Sequence, residues 1–211
     1  GAGWFEAEHG SLGFDFKTLG GRLEALGESC RIIKGMFSGE KTTFAGKHYA
    51  VEDALCVPPP IQEGGPPLLV AGSGRRVLLK IVAEYADMWN STGNPEEIGE
   101  LITTIGRHGD LLKRDCSAIE YTVMMPLVYT EDRERQDRLV AMFATVFGLS
   151  PEDSRARMMV GSKQQCLDKI AAYVDVGATH FIFMMTPPYP TEELGAFAEE
   201  VVPAAREIWP G

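Results

Sequence analysis

Leu68-Leu69-Val70-Ala71-Gly72-Ser73-Gly74-Arg75-Arg76 decides how this chain is read. Three apolar residues run into a turn of small ones, and the turn runs into a basic, amphipathic segment. The pattern predicts a buried parallel strand, a loop without bulky side chains, and a helix from about Arg75 to Ala86. Val77, Leu78, Ile81, Val82 and Tyr85 fall on its inner face. Such a turn leaves backbone N–H groups aimed at open space with a positive helix end behind them. An anion, most often a phosphate, is the natural occupant.

Downstream, Asp87 to Thr92 reads as a short strand. Asn94-Pro95-Glu96-Glu97 opens a helix that ends near Arg114, with Asn as cap and Pro at the first helical position. Ile119 to Tyr129 is a strand. Helices over Glu131 to Phe147 and Pro151 to Met158 follow, then a Ser162-capped helix to about Val176 that Gly177 ends. His180 to Met185 reads as a buried strand, and Glu192 to Glu207 as the closing helix. Upstream, Gly1-Ala2-Gly3-Trp4 looks like a strand end and a second small-residue turn, followed by an irregular stretch. Leu19, Leu23, Leu26, Cys30, Ile33 and Phe37 mark one face of a helix from Lys17 to Phe37. Thr42-Thr43-Phe44 and His48 to Val51 flank Ala45-Gly46-Lys47 as a small hairpin. With the Pro- and Gly-rich loop to Pro67 it forms an insertion, expected to act as a lid or wall.

The alternation of strands and helices predicts an α/β fold of parallel strands with right-handed crossovers. Either an open doubly wound sheet or part of a (β/α)8 barrel fits. The opening on a strand end favours the barrel, entered near its fourth strand. Residues 1–211 are then expected to be one N-terminally truncated barrel domain. The chain is 45% hydrophobic and 24% charged, with a net charge of −10, which argues against nucleic acid and for a soluble cytoplasmic protein. No apolar run approaches a membrane span. Cys30, Cys56, Cys116 and Cys166 are widely spaced and read as free thiols, and no spacing points to a metal.

Three ordered segments carry a family resemblance. They are Gly1-Ala2-Gly3-Trp4 with Glu8, then Leu69 to Arg76 with Ala83 to Asn90 behind it, and Val160 to Cys166 leading to Tyr173 to Ala178. The set resembles the bacterial luciferase-like monooxygenases, most closely their branch using the deazaflavin coenzyme F420. The resemblance implies a partial TIM (β/α)8 barrel lacking roughly the first three βα units, with a small insertion before strand 5 and its site at the C-terminal ends of the strands. It implies cofactor-binding roles for Ala2, Gly3 and Trp4 after strand 4, and for Ala71, Gly72, Ser73, Gly74 and Arg76 after strand 5. The activity implied is hydride transfer between F420 and a small organic substrate. The alternatives are an FMN-dependent monooxygenase on the same barrel, or a non-catalytic partial barrel acting as a binding or structural subunit. The fragment alone is expected to be inactive, and the intact protein a homo-oligomer. The family's sugar-phosphate dehydrogenases carry a glutamate at the position of Trp4, which disfavours such a substrate here.

Of the remaining residues, Trp89 and Glu8 are candidates for the substrate pocket, with Glu8-His9 as an acid/base pair. A surface pair and a core tryptophan are the plainer readings of the same residues. Met124, Met125, Met184 and Met185 read as core filling. His48 and His108 read as exposed, and His180 as lying at the end of a strand remote from the chemistry. The catalytic residue is not assigned.

Overall fold

A parallel β-sheet flanked by helices forms the core of this α/β chain, in keeping with the expected partial (β/α)8 barrel. The computed structural model describes residues 1–185, 187 and 189–210. The chain divides into two compact units, Gly1–Trp89 with Thr104–Ile119, and Asn90–Thr103 with Glu120–Gly211.

The first unit opens with a short helix, α1 (Glu6–Ser11), where the sequence reads as irregular. Helix α2 (Leu19–Phe37) follows, its Thr18 hydroxyl accepting the Gly21 N–H at 3.2 Å. Ala25 and Cys30 are its buried residues. Leu19, expected inward, stands exposed in the first turn. Strands β1 (Thr42–Ala45) and β2 (Ala50–Ala54) make the expected antiparallel hairpin. Strand β3 (Leu69–Ala71) and helix α3 (Leu78–Tyr85) come next. Only Val70 of β3 is fully buried. Leu69 is 38% exposed, on the opposite face of the strand from Val70. Strand β4 (Met88–Ser91) carries the chain out of this unit, and the second half of α4 (Pro95–Leu112) returns to it.

Residues 87 and 114 close the N-terminal end of this βα unit. Asp87 Oδ2 accepts the Leu68 N–H at 2.7 Å and pairs with Lys34 Nζ at 2.5 Å. The Leu68 carbonyl in return accepts the N–H groups of Asp87 and Met88. Arg114 donates to the carbonyls of Ala83 at 2.9 Å and Ala86 at 2.7 Å, filling the acceptors that α3 leaves at its C-terminus.

In the second unit Asn94 caps α4 reciprocally, its Oδ1 accepting the Glu97 N–H while Glu97 Oε2 accepts the Asn94 N–H. Strand β5 (Glu120–Tyr129) pairs in parallel with β7 (His180–Met184) over Thr122–Pro126, and with β6 (Met159–Gly161) over its last three residues. The sequence gives no sign of β6, which is only three residues long. Helices α5 (Arg133–Phe147) and α6 (Pro151–Ala156) lie between β5 and β6. Helix α7 (Lys163–Asp175) begins on a Ser162/Gln165 capping box, and α8 (Thr191–Ile208) closes the chain. Strand β7 is half-buried rather than buried, with His180 exposed and paired to Glu120 at 2.5 Å. Of Met124, Met125, Met184 and Met185, Met125 is the one in the buried core, which also takes in Met158 and Met159, and Tyr173, fully buried, donates to the Gly93 carbonyl at 2.7 Å. The four cysteines are free thiols. Among the described residues no helix is long and apolar enough to cross a membrane.

Burial pushes the Asp87 carboxyl up, but the Leu68 N–H and Lys34 outweigh it and hold it below the usual carboxylate range. A depressed folded pKa adds stability above the unfolded value, roughly pH 3.9 for Asp, and loses it as pH falls through the folded one. Asp87→Asn should therefore lower the urea midpoint at pH 7 and flatten its fall between pH 5 and pH 2. A parallel acid limb in variant and parent would show that Asp87 carries no such linkage.

Candidate functional site

The expected phosphate turn lies in the first unit, where β3 leaves the sheet. Gly72 has φ +133°, and a Cβ there would meet Leu78 Cδ1 at 2.6 Å, so the position admits only glycine without displacement. Helix α3 begins at Leu78, three residues later than the expected Arg75. Two bonds explain the delay. Leu79 N–H reaches back to the Gly74 carbonyl at 3.1 Å, and His108 Nε2 donates to the Arg75 carbonyl at 2.8 Å. The segment from Gly72 to Val77 is thus an open loop rather than a helical first turn, and Arg76 is exposed on it. Among the described residues, the N–H groups of Ser73 and Gly74 find no backbone acceptor outside the regular elements.

Trp89 fixes the direction in which these donors point. Its side chain is fully buried, and its Nε1–H donates to the Gly72 carbonyl at 2.8 Å. In a trans peptide the C=O and the following N–H point in opposite directions. Holding the Gly72 carbonyl against the buried indole therefore turns the Ser73 N–H away from it. Of the two readings of Trp89, pocket wall and core tryptophan, its full burial matches the second. It is a support beneath the turn, and its hydrogen bond to a carbonyl 17 residues back is what the local sequence could not reveal.

Gly1 sits beside this turn, a Cβ built on it lying 3.3 Å from the Ala71 carbonyl oxygen. The two small-residue turns read from the sequence are thus neighbours. Gly3, at φ +75°, lies under the His9 ring, where a Cβ would come within 2.8 Å of Cε1. Trp4 is 84% exposed and stacks on Phe5 with centroids 5.3 Å apart.

Glu8 and His9 do not form a pair. Both lie on α1, where consecutive side chains diverge. Glu8 is exposed, whereas His9 Nδ1 donates to the Phe5 carbonyl at 3.0 Å and its ring meets Phe16 edge-on. His9, not Glu8, lines a cavity of about 470 Å³ together with Gly1, Ala2, Lys17, Arg22 and Tyr49. Glu8, expected at the substrate pocket, does not border this cavity, and the short α1 that turns it away from His9 was not legible in the sequence.

The second unit has a cavity of its own, about 370 Å³, lined by Tyr129, Thr130, Ser162, Glu192, Glu193 and Glu200. Tyr129 donates to Glu200 at 2.5 Å. Burial first and that carboxylate second push the phenol up to about 12. Nothing in the sequence singled this group out. Among the described residues no cluster of His, Cys, Asp or Glu is arranged to hold a metal ion.

Residues 1–148, which include both turns, match the luciferase-like monooxygenase family. The chain belongs to that family. Its fold is similar to coenzyme F420-dependent tetrahydromethanopterin reductase from Methanopyrus kandleri, with a TM-score of 0.75 and 16% identity over 95% of this chain and 72% of that one. It is also similar to an F420-dependent secondary alcohol dehydrogenase solved with an F420–acetone adduct, with a TM-score of 0.79 and 16% identity over 91% of this chain and 64% of that one. EDTA monooxygenase from Chelativorans sp. BNC1 gives a TM-score of 0.77 and 15% identity over 98% of this chain and 64% of that one. The chain thus spans 64–72% of the length of these three structures. At these identities the likeness establishes the fold.

Trp89→Phe keeps an aromatic ring in the core but leaves the Gly72 carbonyl without its donor. Removing one partner of a buried hydrogen bond costs about 1–3 kcal/mol. A loss in that range is expected in urea unfolding with an unchanged m-value, and an unaltered midpoint would remove the support assigned to the indole.

Proposed function

We propose that the 211 residues belong to one luciferase-like barrel domain and form the phosphate-holding part of a flavin-type site. The working enzyme is then an FMN-dependent monooxygenase acting on a small organic substrate. One observation carries this: a turn that only small residues can build, with the N–H groups of Ser73 and Gly74 free of backbone acceptors outside the regular elements and the Gly72 carbonyl held behind them. Such donors suit a phosphate without needing a charged side chain. The description of the family as monooxygenases puts FMN ahead.

A bound flavin would supply the redox chemistry, and this chain's part is binding and orientation. Ser73 and Gly74 donate to the phosphate, and Arg76, exposed on the same loop, adds a positive charge. Gly1, Ala2 and Gly3 let the cofactor approach the backbone closely. Trp4 presents an apolar face and has no proton to give at neutral pH, so it serves as a wall and not as an acid.

F420-dependent hydride transfer is the second reading. It is favoured by the two F420-dependent enzymes among the similar structures. Fluorescence titration of the intact protein with FMN and with F420 separates the two, and oxygen consumption with a flavin reductase checks the first. Gly72→Ala should weaken the bound cofactor by at least about tenfold, since the new methyl displaces Leu78 or the turn. Binding of neither cofactor would leave a non-catalytic subunit as the reading.

A further inference from the structure

Three consecutive backbone N–H groups of the insertion end on one carboxylate. Lys47 N–H donates to Glu28 Oε1 at 2.7 Å, and those of His48 and Tyr49 donate to Oε2 at 2.9 and 2.8 Å. These residues form the tip of the β1–β2 hairpin, closed on itself by Gly46 N–H to the Tyr49 carbonyl at 2.9 Å. Glu28 lies in the middle of α2, where a carboxylate has no capping duty within its own helix. The tip sits so close that a Cβ at Gly46 would fall 2.5 Å from Glu28 Cδ. Glycine at this position is a condition of the contact.

A second carboxylate, one turn earlier on α2, holds the side chains of the same tip. Glu24 Oε2 pairs with Lys47 Nζ at 2.7 Å and with His48 Nε2 at 3.0 Å. Lys17 Nζ donates to His48 Nδ1 at 3.3 Å, so the imidazole gives its Nε2–H to Glu24. Arg31, further along α2, lies over the Phe44 ring of β1 at 5.1 Å. Tyr49, whose N–H is one of the three on Glu28, is also a wall of the cavity that Gly1, Ala2, His9, Lys17 and Arg22 line.

We propose that Glu28 is a latch, holding the 46–49 tip closed so that Tyr49 walls the cavity beside Gly1 and Ala2, and that loss of its contacts opens that wall. The latch stands on the hydrogen bonds alone. Its effect on a cofactor rests on the flavin-site reading above. Burial raises the Glu28 carboxyl and the three N–H groups lower it by more, so the net direction is downward. The charged groups around the tip, Glu24, Lys47, His48, Lys17 and Arg31, are the ones whose titration must be told apart from that of Glu28.

The test uses two variants of the intact protein that break the contact in different ways. Glu28→Gln sets an amide NH₂ against N–H donors, and Gly46→Ala inserts a methyl group at the carboxyl carbon. Both should raise amide exchange at 47–49 by about tenfold or more, the worth of one charged hydrogen bond, while α3 amides stay protected. Unchanged exchange at 47–49 in either variant overturns the latch. In the unmodified protein, the three amide resonances should move together on acidification, with one midpoint below the usual glutamate range. Three separate midpoints, or none, overturn it equally. FMN then reads the gate, because an open wall raises association and dissociation rates together whereas a lost contact raises dissociation alone. If FMN fails to bind the unmodified protein, the flavin reading falls while the amide results still decide the latch.

Discussion

Strand β4 holds β3 at both ends, and the candidate site depends on that grip. Asp87, just before β4, accepts the Leu68 N–H where β3 begins. Trp89, two residues on and so on the same side of an extended chain, donates to the Gly72 carbonyl where β3 ends. One bond ends on a charged carboxylate, the other is neutral with a fully buried donor. Between them they fix the height and the exit direction of a three-residue strand. Without the indole, the peptide between Gly72 and Ser73 has no buried partner to set its tilt. The direction of the Ser73 N–H follows from that tilt.

The insertion belongs to the same logic of local anchoring. The insertion before β3 reads as a lid or a wall, and lids are usually the weakly held parts of a fold. Here α2 holds the segment at separated points: Gly35 against Thr42, Glu28 against the hairpin tip, and Phe37 against Gly65. The contacts at Gly46 and Gly65 are too close for any side chain. Such an insertion is a wall first, and it moves only where a releasable bond ties it. Carboxylate contacts at the tip are of that kind, and glycine packing is not.

Much of this was legible in the sequence. The hairpin, the Asn94 and Ser162 caps, and the long strand through Met124 and Met125 follow from local chemistry within a few residues of each signal. The small-residue turns at Gly1–Trp4 and Ala71–Gly74 were readable as turns for the same reason. The failures share a cause. The start of α3 depends on His108, 33 residues beyond the carbonyl it binds. The hydrogen bond of Trp89 goes to a carbonyl 17 residues back. Strand β6 is three residues whose pairing exists only because β5 is long enough to take two partners. Glu8 and His9 differ by one position, which decides exposure on a helix and decides nothing in a loop.

The acidic balance of the chain bears on how an anion site must be built. With a net charge of −10, the mean field around the protein repels a phosphate. Side-chain cations could offset this, but several of those in the first unit are already engaged. Lys34 is paired with Asp87, Lys47 with Glu24, and Arg22 lies over Phe16 at 3.8 Å while donating to the Lys17 carbonyl. Backbone N–H groups are free of that competition. They carry no net charge to be neutralised by the surrounding carboxylates, and they do not titrate. Their value depends on geometry alone, which is why the turn combines a glycine-only φ with a buried donor behind it. A site of this construction tolerates acidic surroundings but not a methyl group at residue 72.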